Sequence, residues 1–174
     1  MGAQYSVGMG TMIRAWHFVG PKLRDGSPIP KDGEWLTYTS PLIMCESGLH
    51  ASKEPFDALQ YAPGNTLCLV DCAGKVIKGG DKLVCSRRRI VARMDFEEPL
   101  RYFARMQALS VVHLWDAPDV VLDYLMTGDE SIRAAAWAAA WDARDAAWAV
   151  ARATWAAGRS EFNALVYECF EQCL

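Results

Sequence analysis

The chain of 174 residues carries 18 lysines and arginines against 21 acids, a formal charge of -3, with 52% hydrophobic and 22% charged residues. That length suits one domain, or one domain with an appended helical unit, and the mixture is globular rather than disordered. The charge excludes a general affinity for nucleic acid or anionic membrane, and no run of eighteen uncharged apolar residues is present to span a bilayer.

Residues 1–10 lack the basic start and apolar middle of a secretory signal and read as a flexible leader. With six cysteines too sparse for a disulfide scaffold, the expectation is reduced thiols and a cytoplasmic setting. Thr11 to Val19 is rich in β-formers and alternates, which predicts the first strand. Gly20 to Gly33 is a loop, Glu34 to Thr39 a second strand, and Leu42 to Cys45 a short buried run. A short helix over Glu54 to Ala62 follows, with Ser52 as its N-cap. Thr66 to Cys72 predicts a strand, Ala73-Gly74 a tight turn, Lys75 to Lys78 the returning strand, and Leu83 to Met94 a further strand.

Beyond residue 95 the pattern turns helical. Pro99 to Trp115, Val120 to Met126 (closed by Gly128), Glu130 to Ala157 (capped by Asp129, ended by Gly158) and a last helix opening at Ser160 are expected. The expectation is therefore an α+β protein: a leader over 1–10, a β-rich domain with one short helix over 11–95, and a helical region of about four helices over 96–174. Within the third helix Trp137, Trp141, Trp148 and Trp155 are spaced by four, seven and seven, a heptad-like seam backed by alanine. Such a helix packs inside the protein or pairs with a partner or a second copy of the chain.

Imidazole chemistry is confined to His17, His50 and His113. His113 sits in an apolar helical context that favours a structural role. His50 lies in a glycine-bearing link between a buried strand and a helix, where loops present ligand-contacting groups. Cys68 and Cys72 stand too far apart along a strand for one tetrahedral centre, and Cys169 and Cys173 continue an apolar stripe, so neither a metal nor a cofactor is assigned. The common phosphate-loop, dinucleotide, nucleophile-elbow and zinc-helix signatures are missing from the chain. Seven bases and one acid fall between Lys75 and Arg93, and Arg87, Arg89 and Arg93 on one strand face are candidates for an acidic partner or a phosphate.

Residues 15–20 (AWHFVG), 45–52 (CESGLHAS), 57–64 (DALQYAPG) and 80–84 (GDKLV), with the Ala/Trp-rich tail, resemble an uncharacterised family found in tailed phages and prophage regions. The family carries no settled activity to transfer; together with the basic face, the acidic C-terminus and the tryptophan stripe, the resemblance leads to the expectation of an accessory protein in the host cell cytoplasm that binds a host protein, as an inhibitor of a host defence system. A second likeness is to the ADP-ribosyltransferase-like fold, in which a strand with His is followed by a Gly-aliphatic-aromatic segment and a short helix with spaced Ala and Tyr. Gly48 to Ser52, Ala58 and Tyr61 are similar to that arrangement, with His17 at the first position and His50 in place of the usual aromatic. The likeness implies a nucleotide or NAD pocket lined by His17, His50, Ser52 and Tyr61 and converging on one cleft. No catalytic set is assigned, because arginines occupy Arg87 to Arg89 where an acid is wanted.

Overall fold

The computed structural model describes residues 6–9, 12–142 and 155–174, and the architecture is α+β. The chain divides into two compact units, one running through Glu97 and including Val166–Leu174, the other covering Glu98–Leu165.

In the first unit six antiparallel strands form one sheet: β1 (Ser6–Met9), β2 (Ile13–Val19), β3 (Trp35–Thr37), β4 (Leu49–Ala51), β5 (Thr66–Lys78) and β6 (Leu83–Asp95). Strand β1 lies within the stretch expected as a leader and pairs with the far end of β5. The frame is the long β5–β6 hairpin, flanked by β1 and β2 on β5 and by β3 and β4 on β6. Past β4 the chain reaches β2, where Trp16 and Ser52 exchange backbone hydrogen bonds of 2.7 and 2.8 Å. This bridge closes β2, β5, β6 and β4 into a small barrel, and closure removes the edges an open sheet would expose.

Alternation sorts the side chains. Ala15, Val19, Ala51, Cys68, Val70, Cys72, Val76, Leu83, Cys85 and Ile90 fill the interior. Trp16, by contrast, meets Phe170 edge-on at 5.1 Å between ring centres, and Phe96 meets Phe170 at 6.4 Å. Asp71, fully buried, is held by Arg14 at 2.8 Å and Arg89 at 2.9 Å.

Three local expectations are corrected. Ala73-Gly74 is no turn: β5 runs unbroken through it, with a register shift between Ala73 and Val76. Gly74 has φ of +75°, and the Ser86 hydroxyl accepts from the Lys75 N–H at 2.9 Å, so the glycine serves a bulge rather than a reversal. The hairpin turns instead at Gly79, whose N–H donates to the Lys82 carbonyl at 2.8 Å. Ser52 is spent on the bridge to Trp16, and helix α1 (Pro55–Leu59) starts from Glu54 with no side-chain cap. Leu42 is buried, but Ile43 is exposed and pairs with Ser47 in a tight loop, so this run forms no strand.

The second unit contains α2 (Glu97–Val111), followed by a 3-10 turn at Val112–Leu114, then α3 (Asp119–Thr127), α4 (Arg133–Asp142) and the start of α5 (Trp155–Cys169). Val121, Leu125 and Ala136 form its core, with Ala108, Leu109 and Val112 packed against them. Gly128 ends α3 in the left-handed conformation, as its position implies. Gly158, by contrast, does not end a helix, and α5 runs through both it and Ser160. A Cβ there would stand 2.8 Å from Gln107 Oε1 of α2, so the glycine is a point of close helix approach. Residues 143–154 of the expected third helix, Trp148 among them, lie outside the described residues. None of the described helices is long and apolar enough to cross a membrane.

Candidate functional site

Among the described residues, Arg88 is the charge that stands within the barrel wall's interior register. Arg88 of β6 pairs with Cys72 of β5 in the sheet register and is only 6% exposed. Its Nη1 donates to the His50 carbonyl, and among the described residues no carboxylate pairs with it. A guanidinium has five N–H donors and keeps its proton even though burial pulls its pKa down. The groups around it are the thiols of Cys72, Cys85 and Cys68. Burial pushes Cys68 up to about 11. The Cys72 thiol, hydrogen-bonded to Cys85 and buried, is held well above its ordinary value, while the same bond draws Cys85 down. Cys85 Sγ nevertheless lies 3.1 Å from the Arg87 carbonyl and 3.3 Å from the Leu49 carbonyl, contacts that suit a donating thiol and would repel a thiolate. The charge of Arg88 and backbone hydrogen bonds from Ala73 and Arg87 draw Cys85 down further, so Arg88 has thiols beside it and, among the described residues, no carboxylate.

Arg88 also lines a cleft of about 10 Å³, room for one water. His17 and Val19 of β2, Leu36 of β3, Arg88, Arg89 and Ile90 of β6, and Leu23 and Pro30 from the 20–33 loop line it. His17 is half-buried and lines this cleft. Burial, then the charge of Arg88, then His50 hold its pKa well below the ordinary histidine value, so it is neutral at pH 7.

The expected convergence of His17, His50 and Tyr61 does not occur. Leu49 packs against the barrel interior and Ala51 lies within it, so alternation turns His50 to the other face of β4. There its Nε2 accepts from the Cys45 N–H at 3.0 Å, and Nδ1 sits 3.2 Å from the Gly48 carbonyl. Cys45 takes a φ of +67° in this clasp, and the imidazole, its pKa lowered chiefly by burial, fastens the loop. Tyr61 is 51% exposed, donates to Asp81 and lies under Lys82, 4.0 Å from its ring centre. Ser52 is buried beside β2 in the bridge to Trp16.

The three arginines expected to receive a partner are engaged within the unit. Arg87 and Arg89 stack on Trp35 at 4.6 and 4.9 Å, Arg89 also holds Asp71, and Arg93 holds Asp32 and the Pro30 carbonyl. Of the tryptophan seam, Trp137 is 61% exposed, Trp141 and Trp155 fall within α4 and α5, and Trp148 is outside the described residues. Among the described residues no group of three His, Cys, Asp or Glu side chains is arranged to hold a metal.

Arg88 was hidden in the sequence as the middle of a basic run. Interior residues of β6 are odd-numbered before the bulge (Leu83, Cys85) and even-numbered after it (Arg88, Ile90), so simple alternation misplaces it. The one available signal was Gly74, a glycine within a β-pattern that marks a bulge.

Residues 13–101, just over half of the chain and all of β2 to β6, match the family model described as a domain of unknown function, DUF7666. No curated protein and no solved structure matches the chain.

Proposed function

The chain belongs to the DUF7666 family, and from the geometry of its cleft we propose that it binds a nucleotide, with the ligand's phosphate directed at Arg88 and His17. One observation carries this reading: a guanidinium 6% exposed, without a carboxylate partner among the described residues, facing a cleft. An uncompensated buried cation is costly, and an arriving oxyanion meets its fork of donors with matching geometry. The cleft lining contains no carboxylate, and His50 and Tyr61 face elsewhere, which favours binding over glycosyl transfer. Entry of a nucleotide requires the Leu23 side of the 20–33 loop to swing out. That side is tied by local bonds (Leu23 N–H to the Ser27 carbonyl, 2.9 Å, and Gly26 N–H to the Leu23 carbonyl, 2.9 Å), whereas the Pro30 side is pinned to β6. Calorimetric titration with ADP, NAD and adenosine tests the reading. ADP and NAD bind, adenosine does not, and Arg88→Met abolishes the response; equal binding by wild type and Arg88→Met would overturn it.

A second reading, action through a protein partner or a second copy of the chain, draws on Trp137. This indole is 61% exposed on α4 beside a shallow hollow lined by Glu130, Arg133 and Ala134. Exposed tryptophan is favoured at interface centres. Sedimentation velocity of wild type against Trp137→Ala decides whether the chain self-associates through this surface, and identical profiles would remove that support.

A further inference from the structure

We infer that the cleft is a proton-coupled oxyanion seat: His17 takes up a proton from solvent when a phosphate- or sulfate-like group docks on Arg88. The inference rests on the nucleotide reading for its ligand and adds how the site is regulated. His17 and Arg88 line the same cleft from facing walls of one small barrel. In the empty state burial, and after it the charge of Arg88, hold the imidazole neutral, while Arg88 keeps its charge on the opposite wall. A dianionic oxygen cluster admitted between them, once the Leu23 side of the 20–33 loop has swung out, reverses that balance, since each oxygen then favours a second cation over a neutral ring.

The groups surrounding His17 leave it as the one that responds. On β5 the facing residue is Cys68, a neutral thiol pushed up to about 11 by burial. From β6 come Arg88, Arg89 (paired with Asp71) and Arg93 (paired with Asp32 of the loop). Asp71 also takes Arg14, so its charge is already compensated on the other side of the wall. From β4 comes His50, whose two ring nitrogens are occupied by the Cys45 N–H and the Gly48 carbonyl. Protonating His50 would break the Cys45 bond, whereas protonating His17 breaks no hydrogen bond recorded in the structure.

Sulfate is the probe because it does not titrate in the relevant range. Its binding to the full chain is measured by calorimetry between about pH 5.5 and about pH 8, the window in which a histidine can change charge. Each pH is run in two buffers of different ionisation enthalpy, so that the heats report proton uptake directly. The expected result is net proton uptake on binding in wild type, with affinity rising by up to about tenfold per pH unit as pH falls. In His17→Gln sulfate still binds, without proton uptake. ADP is titrated in parallel. ADP binding that depends on Arg88 but carries no pH-dependent uptake beyond the phosphate's own would overturn the proton coupling and leave the nucleotide reading standing. Sulfate and ADP both failing to bind wild type would overturn both. Should His17→Gln not fold, the two-buffer measurement on wild type decides alone, and a ring proton signal of His17 that stays at its neutral position through sulfate saturation contradicts the inference.

Discussion

Arg88 and Asp71 are two buried charges treated in opposite ways, and the difference separates ligand binding from stability. Asp71 is fully buried and receives Arg14 and Arg89, each about a third or more exposed. Replacing it by Asn should cost about 2 kcal/mol, below the full penalty for a buried pair because both partners retain solvent. Urea denaturation checks this, and an unchanged midpoint would show the pairs to be incidental. Arg88, by contrast, donates to one carbonyl and has no carboxylate partner among the described residues, so Arg88→Met should leave stability unchanged within about 1 kcal/mol or raise it, while removing anion binding. A loss beyond about 3 kcal/mol would instead mark Arg88 as a structural residue. The histidines set a pH dependence. His17, and to a lesser degree His50, have folded pKa values below the unfolded value of about 6.5. Above that pH both states are neutral there and no penalty arises. As pH falls below it the unfolded chain takes up protons that the folded chain refuses, so stability drops by up to about 1.4 kcal/mol per pH unit for each histidine. Denaturant midpoints without anion should fall from about pH 7 to about pH 5.5, and His17→Gln should remove most of that slope; a flat profile in wild type would contradict the assignment.

At the level of elements, β2, β3, β6, the short helix and the helical run after residue 95 were legible because each is carried by local periodicity, by turn residues or by both. What misled was glycine and serine used for tertiary purposes. Ala73-Gly74 reads as a turn but is a bulge in a 13-residue strand, Ser52 reads as a cap but bridges strands, and Gly158 reads as a stop but is a helix crossing point. His17 was legible as a candidate from its strand. Its neighbour across the cleft was not, because Arg88 reaches the interior only through a shift of register whose local sign, Gly74, reads as a turn. Gly48 shows how strictly the segment before β4 is placed. Its φ is +114°, and a Cβ would come within 2.5 Å of Val84 Cγ2 and 2.7 Å of Leu42 Cδ2. Gly48→Ala should therefore cost about 2 kcal/mol or more through strain and overlap, read as a lowered thermal midpoint. An unchanged midpoint would mean the loop relaxes freely and does not fix the wall of the barrel.

For the molecule as a whole, the family match covers the barrel strands β2 to β6 and stops within α2, so the nucleotide reading belongs to the shared portion and the tryptophan-bearing helices to this chain's remainder. Trp137, 61% exposed, should contribute less than about 1 kcal/mol to stability, and a larger loss in Trp137→Ala would show its ring to be part of the fold. The central claim is that a nucleotide's phosphate lodges between Arg88 and His17. The most direct measurement is an NMR titration of the isotopically labelled full chain with ADP, following the Arg88 guanidinium and the His17 ring. The account predicts that both side-chain signals shift together and saturate at the same ADP concentration, together with backbone amides of Leu23 and its neighbours in the loop. Shifts confined to other parts of the molecule, with Arg88 and His17 unmoved at saturation, would contradict it.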